Sequence, residues 1–431
     1  MAIWSTQVLN PGVAKREVFG WAMYDFANSG YTTVVLTAVF SAYFAGVVAG
    51  KAEWGPFAWT LALSISYAIV MLTMPSIGAL ADLRASKKRF LALTTIGCVL
   101  STAALALVGP GQVALAMVLI IFSNAFYSYG ESLCAAFLPE LARREGLGTV
   151  SGWGWSFGYF GGMLALGLCL GYVLWAQGQG LPAAHFVPVT MLVTAGIYGA
   201  AAVATFAWLK ERAIPQPQAL VQGGFRASLQ QLLATLKRAR GYRDFMWLLL
   251  CAVFYQGGVA VAITLAAIYA EQVIGFKSSE TMVLIFVLNL AAAAGAFAFG
   301  FWQDRIGHKL ALGLTLAGWI ATCIIAALSM TKGHFWWAAA IAGACMGSSQ
   351  SAGRAMAGLF APEKQLGEFY GLWTFATRLA SIIGPLMYGA ITWATGGNQR
   401  IAIASTAILF VLGLIALLPI NVARGRAAAS G

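Results

Sequence analysis

Charge is scarce in this chain. Only 9% of its 431 residues are Asp, Glu, Lys or Arg, where soluble domains carry about 25%. A soluble protein of this length needs far more polar surface to cover its core. Acids are rarest, 14 against 26 bases, for a net charge of +12. The three histidines, His185, His308 and His334, lie at the ends of apolar runs, where an interfacial role is the default. There is no metal-ligand spacing, no nucleophile elbow and no Walker loop. No enzyme active site, cofactor or metal centre is therefore expected. The six cysteines (Cys98, Cys134, Cys169, Cys251, Cys323 and Cys345) show no CxxC spacing. That argues against zinc sites and disulfide frameworks and leaves them as small packing residues. Residues 1–19 lack the apolar core of a secretory signal peptide.

Apolar sequence is abundant instead. Hydrophobic residues make up 60% of the chain, and mean hydropathy is +0.79. Runs of roughly 20 apolar residues, each long enough to span a bilayer, recur throughout. They are too continuous for the alternation of an outer-membrane barrel, and open sheets cannot span. The expected class is an all-α, multi-pass membrane protein with the lipid bilayer as its solvent. We read twelve transmembrane helices at 20–48, 57–81, 89–109, 112–138, 150–176, 186–209, 245–270, 281–302, 309–330, 334–359, 368–394 and 401–421. The 49 glycines fit close helix–helix approach in lipid.

Basic residues orient these helices. Lys15, Arg16, Arg84, Lys87, Lys88, Arg89, Arg143 and Arg144 flank one side, as do Lys210, Arg212, Arg226, Lys237, Arg238, Arg240, Arg243, Arg305, Lys309, Lys364, Arg424 and Arg426. The opposite loops hold only Lys51, Lys277, Lys332 and Arg400. By the positive-inside rule both termini are cytoplasmic. The positive charge is thus a topology signal; bases scattered over short loops do not suit nucleic-acid binding. The expected organisation is a cytoplasmic segment at 1–19, a six-helix bundle at 20–209, a cytoplasmic linker at 210–244, a second six-helix bundle at 245–421 and a cytoplasmic tail at 422–431.

Within the linker, Pro215, Pro217, Gly223 and Gly224 precede a basic segment. Phe225, Leu229, Leu232, Leu233 and Leu236 follow helical spacing there, with Arg226, Gln230 and Lys237 off that face. This reads as an amphipathic helix on the cytoplasmic leaflet or as a solvated tether. The flanking halves also repeat. "GALADLRASKK" (Gly78 to Lys88) closes the second span and "GFWQDRIGHK" (Gly300 to Lys309) closes the eighth. Each reads G-x-x-x-D followed by basic residues, which places Asp82 and Asp304 equivalently. Internal repeats about a central linker are the build of many secondary transporters.

The second copy resembles the loop motif of the major facilitator superfamily, G-x-x-x-D-R-x-G-x-K, through Gly300, Asp304, Arg305, Gly307 and Lys309. The first copy keeps Gly78, Asp82, Arg84 and Lys88 but has Leu83 where arginine is usual, and Ala85 in place of the turn glycine. "WAMYDFANSGY" (21–31), "FLPELARREGLGTVSGWGWSFGYFGG" (137–162), "GSSQSAGR" (347–354) and "EFYGLWTFATRLASIIGPLMYG" (368–389) resemble the vacuolar amino-acid effluxer-like, autophagy-related family, in its bacterial branch. That resemblance runs from residue 21 to about 420. It implies the major facilitator fold, a bacterial inner-membrane location, and export or uptake of a small-molecule solute with amino acids as the leading class. A monomer is expected. The glycine-rich "GYFGG" (158–162) and the Gly384-Pro385 pair match the superfamily's antiporter motif only in part, leaving antiport, symport and uniport open.

One aspartate stands out. Asp25 sits five residues into the first apolar run, and a carboxylate in hydrocarbon is costly enough to mark a pathway, a relay or a pair. At 100° per residue Tyr24, Asp25, Asn28, Ser29, Tyr31 and Thr32 share one broad face. That stripe lines a water-accessible cavity or forms a polar seam between packed helices. The fourth span carries Asn124, Tyr127, Ser128 and Glu131 on one face; the seventh Tyr255 and Gln256; the eighth Asn289; the tenth Gln350 and Arg354; the eleventh Arg378. In the superfamily the first, fourth, seventh and tenth helices line the cavity, so the resemblance puts most of these residues at a site.

Charge is segregated between the halves. The intramembrane acids Asp25 and Glu131 precede the linker, and the bases Arg354 and Arg378 follow it. Such groups can pair across rocking bundles, or grip the two ends of a zwitterion, arginine on carboxylate and acid on ammonium. Purely structural ion pairs are the alternative, and Arg354 near a helix end can snorkel. Asp25 and Glu131 can also carry protons if burial raises their pKa. The missing nucleotide site points to an ion gradient or the solute's own gradient as the driving force. The expected function is secondary active transport of an amino acid or similar zwitterion by alternating access. The alternatives are another solute class (sugar, organic anion, peptide or drug) or a non-transporting binding or scaffold protein on the same fold.

Overall fold

Helix α1 (Lys15–Tyr31) runs on through a π-helical stretch at Thr32–Ala38, a short α2 (Phe40–Tyr43) and a second π-helical stretch at Phe44–Val48, forming one rod. The computed structural model describes residues 6–50, 54–215, 225–276 and 278–430, with backbone only at 6, 56, 57, 225–229, 231, 232, 267, 271, 278, 279 and 282. Lys51, Pro217, Gly223, Gly224 and Lys277 of the sequence reading lie outside the described residues. So do the side chains of Phe225, Arg226, Leu229 and Leu232.

The chain continues through α3 (Gly55–Leu83), α4 (Lys87–Ala104), α5 (Val113–Ala135), a one-turn α6 (Leu138–Leu141), α7 (Leu147–Gly178) and α8 (Ala183–Trp208). A separate α9 (Phe225–Ala239) follows. Then come α10 (Arg243–Tyr269, extended by a π-helical Ala270–Ile274), α11 (Ser278–Ile306), α12 (His308–Leu328), α13 (Lys332–Phe360), α14 (Leu366–Ala394), α15 (Gln399–Leu417) and a short α16 (Val422–Ser430). Local chemistry sets several of these ends. The Thr331 hydroxyl accepts from the His334 N–H at 3.3 Å to open α13, and Asn398 Oδ1 accepts from Arg400 and Ile401 to open α15. Glu211 caps α4 from outside its own helix, accepting from the N–H groups of Lys87 and Lys88 at 2.6 and 3.1 Å.

Ten helical stretches among the described residues are long and apolar enough to cross a membrane. The sequence reading expected twelve. The two left out are α13 and α14, each 29 residues long. Ser348, Ser349, Gln350, Ser351 and Arg354 lower the hydropathy of α13, and Thr374, Thr377, Arg378 and Ser381 that of α14.

Rods before α9 pack mainly on one another: α1 on α7 and α8, α5 on α3 and α4. Rods after it do likewise: α13 on α11 and α12, α10 on α14 and α15. Two extensive contacts join the groups, α7 with α11 and α3 with α14. Small residues make both possible. A Cβ added to Gly300 of α11 would lie 2.9 Å from the Gly148 carbonyl oxygen of α7, so these backbones touch. Both terminal segments pack at the end where α1 begins and α3 ends. Asn10 Nδ2 donates to the Pro139 and Glu140 carbonyls, and Arg426 pairs with Glu145. This is the basic end.

Helix α9 has protein contacts on one side. It packs on α3, and Thr235 and Arg238 both bond Glu368 in the first turn of α14. Thr235 and Ala239 are buried, whereas Leu233 faces outward at 58% exposure. Of the leucine stripe, Leu236 packs against the core while Leu233 does not, so the docking face takes in part of the stripe together with Thr235 and Ala239.

Candidate functional site

Two carboxylate–arginine pairs cross between the groups inside the helical rods, apart from Arg144–Glu363 and Arg426–Glu145 at the basic end. Arg354 of α13 reaches into the first group, where Nη1 donates to Asp25 Oδ2 at 2.6 Å. Nε donates to Ser151 Oγ at 3.1 Å and Nη2 to the Ser151 carbonyl at 2.8 Å. The guanidinium lies over the Trp21 and Trp155 rings, 4.7 and 5.2 Å from their centroids. Tyr370 on α14 donates to the Arg354 carbonyl at 2.9 Å, and the Trp21 indole N–H to the Cys134 carbonyl at 2.8 Å. Both charged side chains are nearly dry, at 7% and 12% exposure. Such a pair holds only if its geometry replaces the lost water, which the two bonds to Ser151 and the Trp21 and Trp155 rings do here for the guanidinium.

The second pair is wetter. Arg378 of α14 donates to Glu131 of α5, whose side chain is 33% exposed. The rings of Tyr67 and Tyr127 flank the Arg378 guanidinium, with centroids 5.5 and 5.6 Å away. Arg378 Nε, Ser128 Oγ and Asn124 Oδ1 are buried without a hydrogen-bond partner among the described residues. Unpartnered buried polar atoms are uncommon enough to need an explanation.

Nearer the basic end, two carboxylates cap helices of the opposite group. Asp82 at the end of α3 accepts from the Gly367 and Glu368 N–H groups of α14, both at 3.0 Å. Asp304 at the end of α11 accepts from Gly148 and Thr149 of α7 at 2.9 and 2.8 Å. Negative charge at a helix N-terminus meets both free donors and the positive end of the dipole. The repeat continues in the lysines. Lys88 Nζ donates to the Leu209 carbonyl beyond α8, and Lys309 Nζ to those of Leu418 and Ile420 beyond α15. Arg84 and Arg305 are exposed. Gly307 and Ala85 occupy equivalent turns with φ of +93° and +46°. Ala85 thus stands where the repeat wants glycine and carries the strain itself.

Other residues singled out from the sequence fall elsewhere. Tyr24 and Tyr31 are fully buried. Tyr24 bonds Thr95 at 3.1 Å, and the Tyr198 hydroxyl donates to Asn28 Oδ1 at 2.6 Å and lies 3.3 Å from the Tyr24 hydroxyl. Tyr31 bonds Ser123 at 2.8 Å, and Asn124 donates to Ser66 at 3.1 Å. These form a polar seam inside the first group, while Asp25 on the same helix crosses out of it. Gln256 donates to Gln350 at 2.6 Å and to the Tyr255 hydroxyl at 3.2 Å, joining α10 to α13. Asn289 donates to the Ile285 carbonyl of its own helix at 2.9 Å. A groove of about 660 Å³ lies between α10 and α14, lined by Leu265, Pro385, Tyr388 and Trp393 among others, without a charged group and apart from both pairs.

Trp21, Tyr67, Ser151, Trp155, Tyr198 and Glu368 were not anticipated. Tyr67 sits beside Ser64 and Ser66 in an otherwise apolar run, and Trp155 in the alternating glycine–aromatic stretch of α7. Those were the available signals.

Taken with the helix packing, this arrangement is that of a membrane transporter with the major facilitator fold. The human organic anion transporter MFSD10 (TETRAN) superposes with a TM-score of 0.74 at 17% identity, over 94% of this chain and 99% of that one. The family model described as "Vacuole effluxer Atg22 like" matches residues 57–148 and 146–430. The chain belongs to this Atg22-like family. It is 28% identical over 412 residues to the uncharacterised MFS-type transporter YxiO of Bacillus subtilis, covering 93% of this chain and 94% of that protein. It is 25% identical over 348 residues to the ectoine/proline transporter ProP of Corynebacterium glutamicum, covering 72% and 63%. Such relatives are transporters and not enzymes.

Proposed function

We propose that this chain moves small zwitterionic solutes, amino acids foremost, across a bacterial plasma membrane by alternating access. In this reading α13 and α14 span as well, giving twelve transmembrane helices in two six-helix bundles, 20–209 and 245–421, with both termini cytoplasmic. The segregated charges of the two cross-group pairs carry the reading. Acids on one bundle and arginines on the other must part whenever the basic end opens, which couples charge exposure to conformation. The dry Asp25–Arg354 pair, with Asp82 and Asp304 beside it, acts as the cytoplasmic gate. The wetter Glu131–Arg378 pair is the solute site and the place where a proton can load. The amino-acid class draws support from the Atg22-like family and from the ectoine/proline transporter at 25% identity.

The test is counterflow in proteoliposomes with a panel of labelled amino acids, run with and without an imposed pH gradient. Flux of at least one amino acid, accelerated by the gradient in the wild type and insensitive to it in Glu131→Gln, is expected. Flux of a sugar or a dicarboxylate alone would defeat the amino-acid assignment.

A further inference from the structure

The two rings and the carboxylate around the Arg378 guanidinium come from the other group of helices. Tyr67 is on α3; Tyr127 and Glu131 are on α5, one helical turn apart. The guanidinium lies 5.5 and 5.6 Å from the two ring centroids while donating to the carboxylate. The cage is stiff. Tyr31 stacks on Tyr127 at 5.1 Å between centroids with 23° between planes, and the Tyr31 hydroxyl is bonded to Ser123 at 2.8 Å. Tyr127 is itself buried. The cage is therefore built by the first bundle without help from its occupant, which α14 carries in from the second.

When the bundles part, the occupant leaves and the walls stay. Two aromatic faces and one carboxylate define a ligand class. They favour a weakly hydrated organic cation, whose charge spreads over the rings. One carboxylate supplies too few oxygens for Ca²⁺ or Mg²⁺, and the negative faces reject anions. Close by, Arg378 Nε, Ser128 Oγ and Asn124 Oδ1 are buried without partners among the described residues. The neighbourhood thus has polar capacity to spare for a second molecule.

We propose that Arg378 is a tethered stand-in for substrate, and that Tyr67, Tyr127 and Glu131 form the subsite for the organic cation (ammonium, amidinium or guanidinium) of the transported solute. The solute's cation takes the cage as Arg378 withdraws. The freed guanidinium then receives the solute's carboxylate through paired N–H donors. Tyr67 and Tyr127 become specificity residues, setting preference for a cationic head over a neutral one. This rests on the transporter reading and adds to it the orientation of the solute, cation toward the first bundle.

The experiment vacates the cage and refills it. Purified Arg378→Ala in lipid nanodiscs is titrated with guanidinium chloride at low concentration, with urea as the planar neutral control, and melting temperature is followed. A saturable rise with guanidinium, none with urea, and none in Arg378→Ala combined with Tyr127→Leu or Glu131→Gln is expected. Wild type should not respond, because its own arginine fills the place. Arg378→Met, which keeps the apolar stem, serves if the alanine variant does not fold. In proteoliposomes, with Arg378 in place, Tyr67→Leu and Tyr127→Leu should each raise KM for cation-bearing solutes by roughly two- to thirtyfold over wild type, with a smaller effect on kcat. A response to urea equal to that for guanidinium overturns the proposal. So does transport of a neutral or purely anionic solute with KM unchanged in Tyr127→Leu. If no solute moves while guanidinium still saturates the vacated cage, transport fails and the cation site stands.

Discussion

Replacing Asp25 by asparagine isolates one bond of the inner lock. Arg354 would keep both bonds to Ser151 and its place over Trp21 and Trp155, but lose its carboxylate partner. At 7% exposure the guanidinium has little water to fall back on. Stranding one member of a buried pair costs about 3–5 kcal/mol. That cost falls on the closed basic end, since parting the bundles rehydrates Arg354. At 1.4 kcal/mol per decade, the closed state loses roughly two to three and a half decades of population. A molecule closed 99% of the time would then sit open about half the time or more.

The measurement is a spin-label distance between Arg89→Cys and Lys364→Cys, both exposed and on different groups. All six native cysteines are buried, so they do not compete for label. Asp25→Asn should lengthen the distance and lower the melting temperature. Adding Arg354→Met should recover much of the melting temperature, because no buried charge is left over. An unchanged distance together with an unchanged melting temperature would refute the argument. So would a double variant less stable than either single one.

Asp82→Asn and Asp304→Asn should each shift the same distance outward, because an amide turns one acceptor into a donor facing a backbone N–H. About 0.3–2 kcal/mol of helix-terminus stabilisation is at stake in each case. Ala85→Gly should raise the melting temperature by relieving about 1–2 kcal/mol of left-handed strain, and Gly307→Ala should lower it by a similar free energy. Glu368→Gln weakens the acceptor that holds Thr235 and Arg238, so trypsin should cleave after Lys237 or Arg240 faster than in the wild type. Equal cleavage rates would mean that α9 is held by its apolar contacts alone.

Hydropathy alone made the helical rods readable, with ends within about five residues of those observed. Asp25, Glu131, Arg354 and Arg378 were readable as candidates too, because a charge in an apolar run is costly. Their pairing was not. Asp25 lies nearer in sequence to Glu131 than to either arginine, and only the fold decides that it meets Arg354. Tyr24, Asn28 and Tyr31 show the limit of a polar stripe: periodicity gives the face but not whether water or another helix covers it. Ser151 was invisible because it contributes a backbone carbonyl as well as its hydroxyl, and any residue has the former. Helix α9 was legible as amphipathic, but the same pattern suits a bilayer or a groove, and Glu368 sits far away in the chain. The Asp82 and Asp304 turns were legible because the repeat occurs twice in one sequence. The strained Ala85 shows how far one copy has drifted.

The π-helical stretches have a mechanical consequence. They occupy the ends of the first and seventh rods away from the basic end, at Thr32–Ala38, Phe44–Val48 and Ala270–Ile274. A π-turn holds one residue more than an α-turn. It can therefore migrate along its helix one residue at a time, rotating the side chains it passes while keeping the backbone bonded. The basic end is fastened by directional bonds that make or break as a unit. At the opposite end of these rods, Tyr43, Tyr269 and Gln272 bond within their own groups, and among the described residues no ion pair on them joins the two groups; the backbone there can yield in small increments. In the proposed alternating-access cycle, such a body would flex as a spring at one mouth and snap as a clasp at the other. Its opening rates at the two mouths should accordingly differ in temperature dependence, the clasp showing the larger activation enthalpy.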